Sequence, residues 1–225
     1  NLVKDVKTAL RFLGIESLQS LVPVYAFRRC IPHSTEPFVQ FKTKIWDYSL
    51  ATAIAAKKIA EEQGHNAFVA FCAALFQTLG HMVVIRNYLR SYKQVKLNEQ
   101  MRAQDARDVE LIDALEILDA DAGFLSSGIE EFAAIISADL VSRWQLKRMP
   151  LAGILDQLAD GTAYQSGMDL TRILLQANCF VQVKFLLNDN KLAMEDAVRY
   201  LEQVEIHTAL RKVLSQTDLR KLQFE

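Results

Sequence analysis

The chain has 225 residues and a formal net charge of −1, with only eight glycines and four prolines. Average globular sequences contain roughly 12% of these two turn-forming residues, so their scarcity here favours long helices. Apolar residues make up 51% and charged residues 24% of the chain, a balance that excludes disordered and collagen-like proteins. The near-neutral charge provides no basic field for phosphate backbones or anionic lipid, so we expect neither a nucleic-acid nor a membrane partner.

The cysteines and the start of the chain indicate a cytoplasmic protein. Cys30, Cys72 and Cys179 lie far apart without paired spacing, as free thiols do in a reducing compartment. The longest purely apolar run, Ala67 to Phe76, covers 10 residues, well short of the roughly 18–20 that span a bilayer. The sequence opens at Asn1 without a charged-then-apolar leader, so we expect no secretory signal and a missing N-terminal segment.

Apolar positions at spacings of three and four predict a series of helices along the first half of the chain. Those helices are residues 2–13 ended by Gly14, residues 16–29 bent at Pro23, residues 39–63 ended by Gly64, residues 67–80 or on to 89, and residues 97–118. The helix from residue 67 is apolar all round, which predicts a buried central element capped by Asn66. Loops are predicted from Cys30 to Pro37 and from Asp119 to Gly128.

The second half of the chain repeats the helical pattern. Five further helices are predicted over residues 129–144, 151–158, 170–187, 194–204 and 206–222, with turns at Pro150, Gly161, Gly167 and residues 188–190. No segment alternates with period two between turn signals, so the sequence predicts an all-α, multi-helix bundle. We expect one domain over residues 1–225, in which residues 169–225 pack as a C-terminal helical subdomain.

The common catalytic motifs are missing from the sequence. No GxGxxG, GxxxxGK, GxSxG, HExxH or CxxC pattern occurs, so these nucleotide, nucleophile and zinc sites are not predicted. The four histidines His33, His65, His81 and His207 are scattered, and a metal bound through histidine would need three or four distant segments. No cofactor is predicted.

Four blocks in the chain resemble, in order, the HD-related output domain of bacteria, called HDOD. They are Ala9 to Leu21 with its Leu-Gly-Ile pattern, Trp46-Asp47-Tyr48-Ser49-Leu50, Ala73 to His81 ending in Leu-Gly-His, and Ser137 to Trp144. Each block alone is a helical pattern with one tryptophan or glycine, but the four together cover most of the chain. The resemblance implies an HD-like helical bundle, a regulatory role in the cytoplasm and protein partners. The family also has helices before the first block, which again implies that the N-terminus is incomplete.

The resemblance also implies where a metal site would lie. The parent HD phosphohydrolases bind a divalent metal through a first His, a His-Asp pair one helix later and a distant Asp. Alignment of the blocks places Tyr48 at the first His, Gln77 and Thr78 at the pair, and Asn178 at the last Asp. A phenol, two amides and a hydroxyl provide no imidazole and no carboxylate, so we expect no catalytic metal and no hydrolytic activity.

Two alternatives stay open for these positions. Tyr48, Gln77 and Thr78 either line a polar pocket that binds a small ligand or form a satisfied internal hydrogen-bond network. His81 lies four residues after Gln77, on the same helix face, and is either a substitute ligand or base or an interior histidine bonded to a neighbour.

The remaining candidates favour ordinary structural roles. Trp46 and Trp144 are expected to pack in the core rather than anchor an interface. The acidic residues Asp113, Glu116, Asp119, Asp121, Glu130 and Glu131 are expected on solvated faces. The basic residues Lys42, Lys44, Lys57, Lys58, Arg86 and Arg90 form either a patch for a phosphate-bearing ligand or, as we expect, ordinary surface charge.

The sequence therefore leads to three hypotheses of function. The first is a catalytically inactive HDOD-type module that acts by protein interaction in bacterial signal transduction. The second is a metal-dependent phosphohydrolase with a site rebuilt around His81, and the third is a sensor that binds a nucleotide or other small molecule at Tyr48, Gln77 and Thr78.

Overall fold

The computed structural model describes residues 20–144, 149–161 and 168–220, and over these residues the secondary structure is helical, without strands. The first described helix, α1, covers residues 20–30 and includes Pro23. The others are α2 (Phe41–Gln63), α3 (Ala67–Phe76), α4 (Leu79–Ala106), α5 (Val109–Ile117), α6 (Ala122–Arg143), α7 (Leu151–Ala159), α8 (Asp169–Asn188), α9 (Met194–Gln203) and α10 (Thr208–Gln216). The predicted all-α class is confirmed. The predicted helix at residues 2–13, Gly14 and the turn at Gly167 lie outside the described residues.

Helices α2, α3 and α8 form the centre of the molecule. Gly64 ends α2 in the left-handed conformation, at φ 74°, and the Asn66 side chain accepts a hydrogen bond from Val69 N to start α3. Every residue of α3 from Val69 to Phe76 is buried, which confirms the prediction of a central helix. Helix α8 packs on both α2 and α3, and the main apolar core extends from Val24 to Leu219.

Helices α4 and α6 form a second closely packed pair. A Cβ atom added to Gly80 would lie 1.9 Å from the carbonyl oxygen of Ala133, so only glycine allows the two backbones to approach this closely. A smaller apolar cluster of Ile85, Leu89 and Leu125 lies farther along the pair. Helix α5 folds back on α4, while α7 connects α6 to α8, and α9 packs on α8.

The predicted continuous helix from residue 67 to Gly80 is wrong, because it is interrupted at Gln77 and Thr78. Helix α3 ends at Phe76 and α4 begins at Leu79. The Gln77 amide donates to the carbonyl of Ala74 and the Thr78 hydroxyl lies 3.3 Å from that of Leu75, while Thr78 adopts φ −95° and ψ 5°. Side chains that bond to nearby backbone in this way compete with helix continuation.

Three other predicted boundaries are also wrong. The helix predicted over residues 97–118 is divided, because Arg107 adopts a left-handed conformation at φ 55° and Asp108 accepts from Leu111 N to start α5. The break predicted from Asp119 to Gly128 is shorter, because the Asp121 carboxylate accepts from the backbone of Gly123 and Phe124 and α6 begins at Ala122. In the last predicted helix, residues 206–222, α10 covers only Thr208–Gln216.

Two helical stretches are long and apolar enough to span a membrane by length and composition alone. The first is Ala67–Ala106, which includes the turn at Gln77, and the second is Asp169–Asn188; their most apolar windows of 18 residues have mean hydropathies of 2.0 and 1.2. Within the most apolar window of each, 78% and 50% is buried inside the protein. Core helices of soluble proteins pass the same test, so this is a weak indication, and the expected absence of a membrane-spanning helix stays a prediction.

The proposed C-terminal subdomain over residues 169–225 also stays a prediction. Its helix α8 packs on α2 and α3, and α10 packs on α2, while α9 contacts α8. The described part of this region therefore shares its core with the N-terminal helices.

Candidate functional site

Three of the five predicted site residues meet at one place between α2, α3 and α8. Tyr48 comes from the first half of α2, Gln77 directly follows α3, and Asn178 lies in the middle of α8. The amides of Gln77 and Asn178 bond to each other in both directions: Gln77 Nε2 donates to Asn178 Oδ1 at 2.9 Å and Asn178 Nδ2 donates to Gln77 Oε1 at 2.8 Å. Tyr48 OH donates to the same Asn178 Oδ1 at 3.0 Å. We call these three side chains the amide–phenol network.

The hydrogen-bonding capacity of this network is largely used within the chain. Asn178 Oδ1 accepts two hydrogen bonds, which occupies both of its lone pairs. Gln77 Nε2 uses its second hydrogen on the carbonyl of Ala74 at 3.0 Å, and Tyr48 OH accepts from Gln182 Nε2 at 3.4 Å. A ligand at these atoms would have to displace bonds already made, at a cost of roughly 1 kcal/mol or more for each.

Thr78 lies next to this network but bonds to a different set of groups. Its hydroxyl oxygen is 2.6 Å from the Ser49 hydroxyl oxygen, and Ser49 also lies 2.6 Å from the carbonyl of Ile45. Both hydroxyl side chains are fully buried, at 1% exposure for Thr78 and 0% for Ser49. Thr78 therefore forms part of the contact between α2 and the turn after α3.

Sequence reasoning missed Ser49, Ser137 and Gln182 as partners of these side chains. The Ser137 hydroxyl on α6 lies 2.6 Å from the carbonyl of Gln77 and accepts from Gly80 N at 2.8 Å, so it joins both ends of the turn. Ser49 and Ser137 each belong to a block that resembles the family pattern, which is the only signal in the sequence that singles them out. Gln182 carries no such signal, although it lies four residues after Asn178 on α8.

His81 does not join the amide–phenol network. Because the helix is interrupted at Gln77, the expectation that His81 and Gln77 share one continuous helix face is wrong. Its Nδ1 atom is buried without a hydrogen-bond partner among the described residues, so this nitrogen does not make the expected bond to a neighbour. Burial lowers the pKa of His81 to about 4, which makes the neutral ring a weak base at pH 7.

The divalent metal that the HD resemblance implies does not fit this group of residues. The aligned positions contain a phenol, an amide, a hydroxyl and a second amide, without a carboxylate or imidazole. Burial raises the pKa of the Tyr48 phenol, which keeps it neutral and makes it a still poorer metal ligand. Among the described residues, no cluster of three or more histidine, cysteine, aspartate or glutamate side chains could hold a metal.

The tryptophan and cysteine expectations have mixed outcomes. Trp46 is half-buried, and its ring lies 6.4 Å from that of Phe27. Trp144 is 43% exposed and contacts Phe76 edge-on at 5.1 Å, so the expectation that it faces the core is only partly right. Cys72 is buried and its pKa is raised to about 12 by burial, as expected for an inert core thiol.

The acidic candidates lie where they were expected, whereas the basic candidates fall into separate groups. The six acidic residues are exposed as expected: Asp113, Glu116, Asp119, Asp121, Glu130 and Glu131. The basic set does not form one patch. Lys57 and Lys58 pair with Glu61 and Glu62 within α2, whereas Arg86 and Arg90 line a separate cavity on α4.

Comparison with known proteins identifies the family. A model of the HDOD domain matches residues 1–125, more than half of the chain, a range that contains Tyr48, Gln77, Thr78 and His81. Ser137 to Trp144 and Asn178 lie beyond that range. No curated protein and no solved structure matches the chain. The family match and the all-α fold agree with the resemblance of the sequence blocks, and the chain belongs to the HDOD family.

Proposed function

We propose that this chain is a catalytically inactive HDOD-type module that acts by regulation or protein interaction in bacterial cytoplasmic signal transduction. The observation that carries the proposal is the amide–phenol network. All four side chains at the positions of the HD metal ligands are uncharged, and three of them, Tyr48, Gln77 and Asn178, are bonded to one another at 2.8–3.0 Å. A group of this kind stabilises the packing of three helices and offers little to a metal or a substrate.

Hydrolysis of a phosphodiester at neutral pH needs an activated water and a group that can exchange a proton. Without a metal, a bound water keeps a pKa near its bulk value. The histidine candidate, His81, has a pKa of about 4 and lies outside the network. General bases work best when their pKa lies near the working pH, so His81 is a poor substitute.

The phosphohydrolase and sensor hypotheses receive less support from these contacts. The phosphohydrolase hypothesis needs His81 as a ligand or base, with carboxylates beside it, and the sensor hypothesis needs free lone pairs or donors at Tyr48, Gln77 and Thr78. The main polar atoms of these side chains have partners within 3.5 Å inside the chain. We therefore propose neither of these functions.

The test is a hydrolysis assay on the unmodified chain. Nucleotides and a chromogenic phosphodiester are incubated with Mn²⁺, Fe²⁺, Mg²⁺ or Zn²⁺, and the rate is compared with that of a His81→Ala variant. We expect no metal-dependent rate above that of buffer in either protein. Metal-dependent hydrolysis that disappears in the His81→Ala variant would overturn the proposal and support the rebuilt phosphohydrolase site.

A further inference from the structure

Two adjoining cavities lie on the face formed by the end of α1, the loop after it, the start of α2 and the middle of α4. One has a volume of about 620 Å³ and lies between α1 and α2, and the other, of about 430 Å³, lies against α4. Pro32 in the loop lines both cavities, so the two adjoin at this residue. We call the two adjoining cavities together the basic groove.

The charges that line the groove are all of one sign. They are the side chains of Arg28, Arg29, Lys42, Arg86, Arg90 and Lys93. No aspartate or glutamate lines either cavity within the described part of the chain, although the whole chain has a net charge of −1. Fixed charges of one sign along a groove produce a positive potential that attracts anionic partners.

The six cations are not neutralised by carboxylates in the parts of the chain that the structure describes. None of the six forms a salt bridge with a described residue. By contrast, Lys57 and Lys58, which lie on α2 like Lys42, pair with Glu61. Arg28 lies over the Trp46 ring at 5.4 Å, and Lys42 donates to the backbone carbonyl of His33 at 2.6 Å. These contacts position two of the cations and leave their charge available.

The spacing on α4 places three of the cations along one line. Arg86, Arg90 and Lys93 are separated by four and three residues, so they lie on the same face of the helix. At 1.5 Å of rise per residue, this line is about 10 Å long. It is longer than one phosphate group and suits an extended chain with repeated negative charges.

Apolar and aromatic side chains lie between these cations. Tyr25 is 67% exposed beside Arg28 and Arg29, while Leu89 and Leu97 line the α4 side of the groove. Arginine, tyrosine and tryptophan are the residues that dominate binding energy in protein interfaces. A small phosphate compound would not use the apolar surface, but a peptide with acidic and apolar residues would use both.

We propose that the basic groove binds an acidic segment of a partner protein, in which aspartate or glutamate residues alternate with apolar ones. The carboxylates pair with the arginines of α1 and α4, and the apolar side chains contact Tyr25, Trp46 and the half-exposed Leu97. This inference rests on the proposed function, since it names the chemistry of the partner of an interaction module.

The test measures binding of a fluorescein-labelled peptide of Glu-Glu-Leu repeats to the full chain by fluorescence anisotropy. A peptide of Gln-Gln-Leu repeats of the same length is the uncharged control. The groove is proposed to recognise charge and apolar surface rather than one sequence. We therefore expect the acidic peptide to bind and the uncharged control not to bind, and we expect the affinity of the acidic peptide to fall with added salt.

Matched charge-reversal variants locate the binding site. Arg86→Glu/Arg90→Glu changes the groove, and Lys57→Glu/Lys58→Glu makes the same change in charge elsewhere on the surface. We expect the groove variant to weaken peptide binding about tenfold or more and the control variant to change it less than about twofold. Circular dichroism checks that both variants are folded, and Lys93→Glu alone repeats the test with a smaller perturbation.

Three outcomes would overturn the groove proposal. One is no binding of the acidic peptide to the unmodified chain, and another is an equal loss in the groove and control variants. The third is displacement of the peptide by inorganic tripolyphosphate or oligothymidylate at lower concentrations than unlabelled peptide, which would indicate a phosphate site. The hydrolysis assay on the same preparations separates the two proposals. Failure of peptide binding would overturn the groove proposal alone, whereas metal-dependent hydrolysis would overturn the proposal of catalytic inactivity.

Discussion

The amide–phenol network and the basic groove contain polar side chains with opposite relations to the rest of the chain. In the network, Gln77, Asn178 and Tyr48 bond to one another at 2.8–3.0 Å, and none of them is charged. In the groove, six cations face two open cavities without a carboxylate from the described residues. A site whose polar atoms are already bonded contributes to stability, whereas a site with unpaired charge is available for binding.

The positions that align with the HD metal ligands are therefore not the positions whose polar groups are available for binding. The network joins α2, α3 and α8 in the centre of the molecule, and the turn at Gln77 is joined further to α6 by Ser137. The groove lies on a different face, where α4 and the loop after α1 meet. Substitutions should thus separate the two regions, with stability affected around the network and binding affected in the groove.

The largest effect is expected for Gly80→Ala, next to the network. The added Cβ would lie 1.9 Å from the Ala133 carbonyl, so α4 and α6 must separate, and the bond from Gly80 N to Ser137 is strained. We expect a loss of about 4 kcal/mol in the free energy of unfolding, measured by urea denaturation.

Gly128→Ala is the matched control on the same helix pair. A Cβ there would meet Val84 Cγ1 at an ordinary 3.6 Å. We expect no loss and a gain of up to about 1 kcal/mol from helix propensity. Equal losses of stability in the two variants would show that the close approach of α4 and α6 at Gly80 does not cause the loss.

The next largest effect is a dependence of stability on pH through His81. Burial lowers its pKa to about 4 from 6.5, so the unfolded chain binds the proton more readily than the folded one. The free energy of unfolding is therefore unaffected by His81 titration above pH 6.5. It falls as the pH drops towards 4, by up to about 3 kcal/mol.

The check is urea unfolding of the unmodified chain and a His81→Gln variant between pH 4.5 and 7.5. Other groups titrate in both proteins, so the difference between their pH profiles isolates His81. We expect the unmodified chain to lose more stability towards acid pH than the variant does. Parallel profiles would mean that His81 titrates normally in the folded protein.

A smaller loss is expected when the network itself is opened. Asn178→Leu removes the partner of Gln77 and Tyr48 and leaves Gln77 Oε1 unpaired at a buried position. We expect a loss of about 2 kcal/mol, again measured by urea denaturation.

Gln77→Leu and the double variant complete a double-mutant cycle. Because the two amides bond to each other, the loss in the double variant should be smaller than the sum of the single losses by about 1 kcal/mol. Additive losses would indicate that the two side chains act independently.

The smallest effect on stability is expected in the groove. Arg86→Glu/Arg90→Glu changes exposed residues and reduces repulsion among like charges. We expect the free energy of unfolding to change by no more than about 0.5 kcal/mol, while binding of the acidic peptide weakens about tenfold or more. A large loss of stability in this variant would contradict the division between the two regions.

The helices were predictable where apolar periodicity alone determines them. Helices α7, α8 and α9 lie within one residue of their predicted ends, and the cap at Asn66 and the stop at Gly64 are confirmed. The interruption at Gln77 was not predictable, because it depends on side chains that bond to the preceding turn. The division at Arg107 follows from a left-handed non-glycine residue, which has no strong sequence signal.

The site was predictable in part. The resemblance singled out Tyr48, Gln77 and Asn178, which hydrogen bonds join, whereas Thr78, which was expected beside Tyr48 and Gln77, bonds to Ser49 instead. The partners Ser137 and Gln182 depend on which helices pack together, which spacing along the chain does not reveal.

The groove was missed for a similar reason. Lys57 and Lys58 were grouped with Arg86 by charge, but local glutamates pair with both lysines. The fold keeps Lys42, Arg86 and Arg90 of that set at the groove and adds Arg28, Arg29 and Lys93.

The most direct test of the central claim, that the network replaces a metal site, is the metal content of the untagged chain. The protein is purified without chelator and examined by elemental analysis beside a Gln77→His/Thr78→Asp variant, which restores two of the family's ligand types. We expect much less than one equivalent of any divalent metal in the unmodified chain, whatever the variant binds. About one equivalent of Mn, Fe, Mg or Zn in the unmodified chain would contradict the account.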